Sequence, residues 1–164
     1  MIFESLADFG AHLSKNSRLL GLDVGSKTIG LAVSDSALKI ATSITTIRRT
    51  KFTRDIENLS TVISEWAVSD LVLGLPISMD GHEGPACQSV RQFAKNLDER
   101  FEMGIAFWDE RLSTAAMERF LINEANLSRK RRSEVVDKLA AVYILQGALD
   151  YLTRECSTST TGLI

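Results

Sequence analysis

The sequence predicts a single α/β domain with a mixed central sheet flanked by helices. Apolar runs typical of strands alternate with segments whose apolar residues recur at helical spacing, as expected for strands covered by helices. The length of 164 residues fits one domain with a sizeable core. The composition, 45% hydrophobic and 24% charged, is that of a globular protein rather than a disordered or fibrous one.

The first part of the chain predicts one helix and three strands. The apolar runs LLGLDV and TIGLAV predict strands at about 19–24 and 29–34, and the turn between them contains Gly25, so we expect an antiparallel hairpin. The β-branched run KIATSITTI (39–47) predicts a third strand. An amphipathic helix is predicted over residues 1–17, and its apolar positions are Ile2, Phe3, Leu6, Phe9 and Leu13.

The middle of the chain predicts helices and strands in alternation. Apolar residues at helical spacing indicate a helix over 52–68, and DLVLGLP (70–76) is typical of a buried parallel strand that stops at its proline. A loop is expected over 77–84, and a helix with Pro in its first turn is expected over 85–101. The run GIAFWD (104–109) predicts a further strand.

The last part of the chain predicts two helices, over 113–125 and 133–152, each opened by a Ser N-cap. A polar, basic connection joins them over 126–132. The composition of residues 153–164 predicts a flexible tail. The main domain is therefore expected to cover residues 18–152.

Charge and composition limit the classes of partner and location. The formal net charge is −2, so a polyanion must be bound by a local basic patch or through metal ions. The two cysteines are far apart and form no CxxC motif, which favours ordinary thiols in a reducing compartment. The acidic N-terminal segment does not resemble a signal peptide, and no apolar run is long enough to span a membrane, so we expect a cytoplasmic protein.

Three carboxylates lie in contexts that conflict with their charge. Asp23 lies inside an apolar strand, and Glu110 follows directly after another strand. Asp137 shares one face of the last predicted helix with small apolar residues such as Ala141, so it is expected to point toward the sheet. An ionised carboxylate buried without a partner costs several kcal/mol or more, so a cation is expected to reach this group.

Carboxylates that converge repel one another unless cations neutralise them. Ligand sets made only of oxygen favour Mg²⁺ or Mn²⁺ over zinc. Two such ions are typical of enzymes that cleave phosphodiesters. The three acidic residues therefore predict a two-metal site, provided that they meet in space.

Each carboxylate also has a purely structural interpretation. Asp23 is compatible with a turn-forming role, and Glu110 with an ion pair to Arg111 or Arg119. Asp137 is compatible with a favourable interaction with the helix dipole, which for this residue alone is the stronger interpretation.

Four blocks of the sequence resemble, in order, the motifs of the YqgF family, also called RuvX. The opening motif is similar to GLDVGSKTIGLAVSD, and the central GLP…MDG…GP block is similar to LVLGLPISMDGHEGPACQSVRQFAKNL. The DER-ST motif is similar to WDERLSTAAMERFL, and the closing helix is similar to VVDKLAAVYILQGALD. These blocks run from about residue 18 to 152, and their order and spacing make the resemblance specific.

The resemblance implies a ribonuclease H-like fold and metal-dependent hydrolysis of nucleic-acid phosphodiesters. It further implies that the substrate is the 5′ extension of the 16S rRNA precursor, free or in a pre-ribosomal particle, during ribosome biogenesis. The catalytic and metal-binding carboxylates of the family fall on Asp23, Glu110 and Asp137, and the metal is Mg²⁺ or Mn²⁺. Related junction resolvases carry a fourth acid at the position of Glu134, which the family does not require.

Basic residues near the carboxylates are candidates for contacts to the nucleic acid. The basic run before and around Asp137 favours phosphate contact over a merely solvated surface, because it leads directly into the helix of that carboxylate. His82 is interpreted as a loop surface residue, and Trp66 and Trp108 as core residues. The candidate nucleic-acid-binding residues are Lys27, Arg111, Arg129, Lys130, Arg131, Arg132 and Lys138.

Three other functions compete with this interpretation. A kinase of the actin and sugar-kinase type uses a similar Asp-x-Gly hairpin but needs a much longer chain. A non-catalytic nucleic-acid-binding regulator does not need the full carboxylate set. A Holliday-junction resolvase on the same fold requires a dimer with two sites, whereas the sequence leaves monomer and homodimer both open.

Overall fold

The computed structural model describes residues 1–112 and 129–160, with side chains for 1–112 and 139–158. The predicted helix over 113–125 lies outside these residues. A short 3₁₀ turn at Glu110–Leu112 follows the last strand. The strands are β1 (Ile2–Phe3), β2 (Leu19–Val24), β3 (Thr28–Ser34), β4 (Ala41–Arg48), β5 (Asp70–Leu75) and β6 (Ile105–Asp109), and the described helices are α1 (Leu6–His12), α2 (Phe52–Glu65), α3 (Pro85–Arg100) and α4 (Arg129–Thr160).

The six strands form one mixed sheet in the order β1-β6-β5-β2-β3-β4. The predicted hairpin is confirmed, because β2 and β3 pair antiparallel with Asp23 opposite Gly30. The strand β5 is parallel to both β2 and β6, as its continuous apolar run predicted. We call the edge at which β2, β4, β5 and β6 end the carboxyl edge, and it carries Val24, Arg48, Leu75 and Asp109.

Helices cover both faces of the sheet. Side chains of β2, such as Leu20 and Leu22, pack with α2 and α3 on one face. Leu19 and Val72 pack with α1 and α4 on the other face. This alternation follows from the period of two in a strand, and it explains why the central strands are apolar on both sides.

The helix α4 lies very close to the centre of the sheet because glycine replaces a side chain there. A Cβ at Gly21 would lie 2.7 Å from Cβ of Leu145 and 3.1 Å from the carbonyl oxygen of Ala141. Ala141 and Leu145 are fully buried, as the small-residue face predicted for this helix requires. The sheet thereby fixes the distance and the register of the helix that carries position 137.

The N-terminal segment differs from the predicted helix over 1–17. Ile2 and Phe3 form a strand that pairs in parallel with Ile105 and Ala106 of β6. The helix begins only after Ser5, whose hydroxyl accepts the backbone N–H of Asp8 at 3.4 Å. Local periodicity could not reveal this strand, because its partner lies about a hundred residues along the chain.

The C-terminal helix is longer at both ends than predicted. It begins at Arg129, so residues 129–132 are helical rather than a connection, and Ser133 is not its N-cap. It continues to Thr160, so residues 153–160 are not a flexible tail. Lys and Arg have good helix propensity, and hydroxyls such as that of Ser157, which donates to the carbonyl of Thr153 at 3.1 Å, are compatible with a helix.

Candidate active site

Asp23 lies near the carboxyl end of β2, one residue before the strand ends. Gly21 faces α4, and because side chains alternate along a strand, Asp23 belongs to the same face. Its side chain is half-buried, whereas the preceding residues of the strand are fully buried. The strand therefore holds this carboxylate at the point where the buried interior opens at the carboxyl edge.

Glu110 follows directly after β6, two strands away from β2. Its carboxylate lies over Gly74 of β5, because a Cβ built on Gly74 would collide with Oε1 of Glu110 and with the side chain of Ile144 from α4. Gly74 lies on β5, between the strands that carry the two acids. A larger residue at this position would occupy the space that the Glu110 carboxylate fills.

The two carboxylates are electrostatically coupled. The pKa of Glu110 is raised to about 7, mainly by burial and in addition by the neighbouring negative charges of Asp23 and Asp109. The sheet thus brings together two of the three predicted site residues at the carboxyl edge. Repulsion between them is the signature expected of a site whose charge is balanced by a cation.

Asp137 belongs to the part of α4 whose side chains are not described. Its backbone is helical and precedes Ala141 by one turn, about 6 Å along the axis. Ile144 of the same helix lies beside Gly74, and Leu152 lies beside Gly10 of α1. The helix therefore runs away from the carboxyl edge, and position 137 lies toward that edge.

The donor set suits a hard divalent cation. Asp23 and Glu110 offer only oxygen atoms, which Mg²⁺ and Mn²⁺ prefer over the nitrogen and sulfur ligands typical of zinc. Among the side chains of residues 1–112 and 139–158, no three His, Cys, Asp or Glu groups assemble as a metal site. Asp137, the third carboxylate that the sequence predicts for this site, lies outside these side chains.

Arg111 interacts with a different carboxylate from the one expected. Its guanidinium donates to both oxygens of Asp109, with Nη2 to Oδ2 at 2.6 Å and Nε to Oδ1 at 3.0 Å. This pair lowers the pKa of Asp109 and keeps that carboxylate charged. The bidentate contact fixes the chain on either side of Glu110, so Arg111 positions the segment that carries the Glu110 carboxylate.

The turn between β2 and β3 follows Asp23 and is held by Arg49. The guanidinium Nη1 of Arg49 donates to the carbonyl of Gly25 at 2.7 Å, and its backbone N–H donates to the carbonyl of Lys27 at 2.8 Å. The Lys27 side chain is exposed on this turn. Its position beside the carboxyl edge is compatible with the predicted contact to nucleic acid.

The loop between β5 and α3 lies beside Arg111. A Cβ at Gly81 would be 3.7 Å from Nη1 of Arg111. Within the loop, the N–H of Ser78 donates to the carbonyl of His82 at 3.0 Å, and His82 is exposed, as predicted. Arg91 of α3 binds Glu83 at the end of the loop through Nη2 to Oε1 at 2.7 Å. The loop is therefore an ordered border of the candidate site.

Three residues with roles at the site were not identified from the sequence. Gly74 interrupts an apolar strand, and that interruption signals a close approach of another group. Arg49 and Asp109 gave no such signal, because their partners depend on the fold. The predicted contacts Arg129, Lys130, Arg131, Arg132 and Lys138 lie on the helical backbone of α4, where side chains are not described.

Comparisons with known proteins agree over most of the chain. A family model described as RuvX, Holliday junction resolvase, matches residues 17–151. A protein of Paramagnetospirillum magneticum named "Putative pre-16S rRNA nuclease" is 63% identical over 144 residues, which cover 88% of this chain and 92% of the relative. A protein of the same name from Rhodospirillum centenum is 56% identical over 157 residues, covering 93% and 83%.

A solved structure shares the fold. RuvC of T. thermophilus, solved in complex with a Holliday junction substrate, matches with a TM-score of 0.50 at 15% identity, covering 81% of this chain and 93% of RuvC. This likeness and the sheet order define the class, a ribonuclease H-like resolvase fold, and confirm the predicted fold. The family model and the relatives go further: the chain belongs to the RuvX family of nucleases.

Proposed function

We propose that this protein is a metal-dependent endonuclease that hydrolyses phosphodiester bonds and processes the 5′ end of the 16S rRNA precursor. The observation that carries the proposal is the coupled pair of Asp23 and Glu110 at the carboxyl edge. Relatives with more than half of their residues identical are named for pre-16S rRNA. Action on a ribosomal precursor implies a cytoplasmic location, as the sequence predicted.

Asp23, Glu110 and Asp137 hold the metal ions in this proposal. When bound, one or two Mg²⁺ or Mn²⁺ ions supply positive charge to the phosphate oxygens and lower the pKa of water. Glu110 accepts a hydrogen bond from the attacking water and orients it toward phosphorus. Attack in line with the leaving oxygen gives a 5′-phosphate and a 3′-hydroxyl end.

Basic groups position the nucleic acid around this centre. Lys27 projects from the turn after Asp23 and contacts a phosphate next to the one that is cleaved. Arg111 keeps Glu110 in place through its pair with Asp109. The cations at positions 129–132 lie in the first turn of α4, where they oppose the helix dipole, and phosphate contact relieves that unfavourable interaction.

A four-way DNA junction is the second candidate substrate. The family model carries the description of a Holliday junction resolvase, and RuvC shares the fold. Resolution of a junction requires two sites on a dimer, whereas cleavage of a single RNA strand does not. The oligomeric state in solution therefore bears on the choice of substrate.

The purified protein should be incubated with a 16S precursor fragment, an unrelated single-stranded RNA and a four-way DNA junction. Each reaction is run with Mg²⁺, Mn²⁺ or EDTA, with Asp23→Asn and Glu110→Gln as parallel variants. We expect metal-dependent cleavage near the mature 5′ end of the precursor, and loss of at least about 100-fold in either variant.

The other outcomes separate the alternatives. Cleavage of the junction alone, by a dimer, would favour a resolvase. Cleavage that survives Asp23→Asn would contradict the assigned site. Binding of RNA without cleavage under any metal condition would favour a non-catalytic regulator. Among the described residues, no helix is long and apolar enough to cross a membrane.

A further inference from the structure

A second group of cations lies at the carboxyl edge, between β4 and α2. The segment 48–55 carries four basic residues and one acidic residue. Three of the cations have exposed side chains, and we call them the β4–α2 basic surface: Arg48, Lys51 and Arg54.

The fold holds the backbone of this segment firmly. Asp55 is 2% exposed, and its Oδ1 accepts the backbone N–H of Thr50 at 3.0 Å and the Thr50 hydroxyl at 3.3 Å. The guanidinium of Arg49 lies 5.4 Å from the centre of the Phe93 ring and bonds to the carbonyl of Gly25. The surface is therefore presented on a rigid support, so little backbone order must be gained on binding.

Strand register places the surface near the carboxylate pair. Val24, next to Asp23, is opposite Ile29 of β3, and Ile29 is opposite Ile47 of β4. Two strand spacings separate Val24 from Ile47, which is about 10 Å. Arg48 follows Ile47 directly, so the surface begins one strand beyond the turn that carries Lys27.

The charge of the surface is not balanced locally. Within residues 1–112 and 139–158, no ion pair involves Arg48, Lys51 or Arg54. The single acidic residue of the segment, Asp55, is buried and bonded to Thr50. The exposed acid that follows in α2, Glu57, forms no ion pair with Arg54 among the described side chains. In a chain of net charge −2, an exposed group of three cations without ion pairs there favours binding of a polyanion.

We propose that the β4–α2 basic surface binds the phosphate backbone of the nucleic-acid strand beyond the cleaved bond. The strand then passes from the carboxylate pair over the turn of Lys27 and across the end of β4. This inference rests on the proposed function, because it takes the Asp23–Glu110 pair as the cleavage site. The contacts are electrostatic and independent of base sequence.

The test measures binding without cleavage. In the Asp23→Asn background, a fluorescein-labelled single-stranded RNA from the precursor 5′ extension is titrated by anisotropy across a potassium chloride series with EDTA present. The test variant carries Arg48→Gln, Lys51→Gln and Arg54→Gln. A charge-matched control carries Lys15→Gln, Lys95→Gln and Arg100→Gln, which are also exposed but lie away from the carboxyl edge.

Loss of three phosphate contacts should reduce the slope of log K against log salt by about two, and affinity at low salt should fall at least about tenfold. The control should lose much less, because only long-range charge changes. Circular dichroism and thermal unfolding establish that both triple variants fold. The single change Lys51→Glu should act in the same direction.

Equal slopes and affinities for the test variant and the control would overturn the inference. This result is separable from a failure of the proposed function. If the triple variant still cleaves the precursor with an unchanged KM, the surface is wrong and the function stands. If the protein with an unmutated site cleaves no substrate, and RNA binding still depends on the surface, the proposed function is wrong and the surface stands.

Discussion

The side chain of Glu110 lies over Gly74, against Ile144 and within the field of Asp23. Its pKa of about 7 in the folded chain exceeds the ordinary value of 4.5. Folding therefore favours the protonated form of this group. The stability that it contributes is fully present below pH 4.5 and is lost as the pH rises through 7.

We expect the metal-free protein to be less stable at pH 8 than at pH 5, with roughly 2 kcal/mol of the difference due to Glu110. Urea unfolding in EDTA at the two pH values measures this difference in the free energy of unfolding. The variant Glu110→Gln stays neutral and should lack this loss. Addition of Mg²⁺ at pH 8 should restore stability to the unmutated protein, because a bound cation replaces the proton. If the stability of the unmutated protein and of Glu110→Gln depended on pH in the same way, the raised pKa of Glu110 would be contradicted.

At the scale of secondary-structure elements, two glycines determine how closely other groups approach the sheet. Gly21 admits the backbone and side chain of α4, whereas Gly74 admits both Ile144 and the carboxylate of Glu110. The two positions lie on neighbouring strands and face the same helix. They therefore form a matched pair, in which one position affects only packing and the other also affects a site residue.

We expect Gly74→Ala to lower nuclease activity about 100-fold, because the new methyl group displaces the carboxylate of Glu110. Its cost in stability should be about 1 to 3 kcal/mol, and Gly21→Ala should cost at least as much, because its methyl group would meet Cβ of Leu145 and the carbonyl of Ala141 rather than the ends of side chains. Cleavage rates and urea unfolding of both variants test this difference. If Gly21→Ala and Gly74→Ala lose activity in proportion to stability alone, the proposed role of Glu110 is not supported.

Local patterns predicted most elements but not their distant partners. The apolar runs of β2, β3 and β5 and the helical spacing in α2 are visible within a few residues, and the structure has them where expected. The strand at Ile2–Phe3 depends on β6, and the pair of Arg111 with Asp109 depends on the geometry of the turn after that strand. Asp23 and Glu110 were identified because a charge in an apolar context is itself a local signal.

At the scale of the whole molecule, Arg91 of α3 joins three separate parts of the chain. Its Nη1 binds Glu4 of the N-terminal segment at 2.9 Å, and its Nη2 binds Glu83 of the loop beside the site. Its guanidinium also lies 5.0 Å from the centre of the Phe107 ring in β6. The interaction with Glu83 lowers the pKa of that carboxylate.

We expect Arg91→Met to weaken the attachment of the loop over 77–84 and of the N-terminal segment, because Glu83 and Glu4 lose their charged partner. The loop over 77–84 should then be cut faster by proteases under native conditions. Glu4→Gln removes only the more exposed contact and serves as the control. It should change the free energy of unfolding by less than about 1 kcal/mol. Unchanged proteolysis in Arg91→Met would show that other contacts hold the loop.

The strand order determines which parts of the sheet can form first during synthesis of the chain. The hairpin of β2 and β3 and the adjoining β4 involve neighbouring segments and can form early in synthesis. By contrast, β5, which pairs with β2, and β1, which pairs with β6, lie far from their partners along the chain. Asp23 thus emerges from the ribosome long before Glu110 or position 137. Under the proposed assignment, a nascent chain lacks the complete carboxylate site until position 137 has also emerged and folded against the sheet.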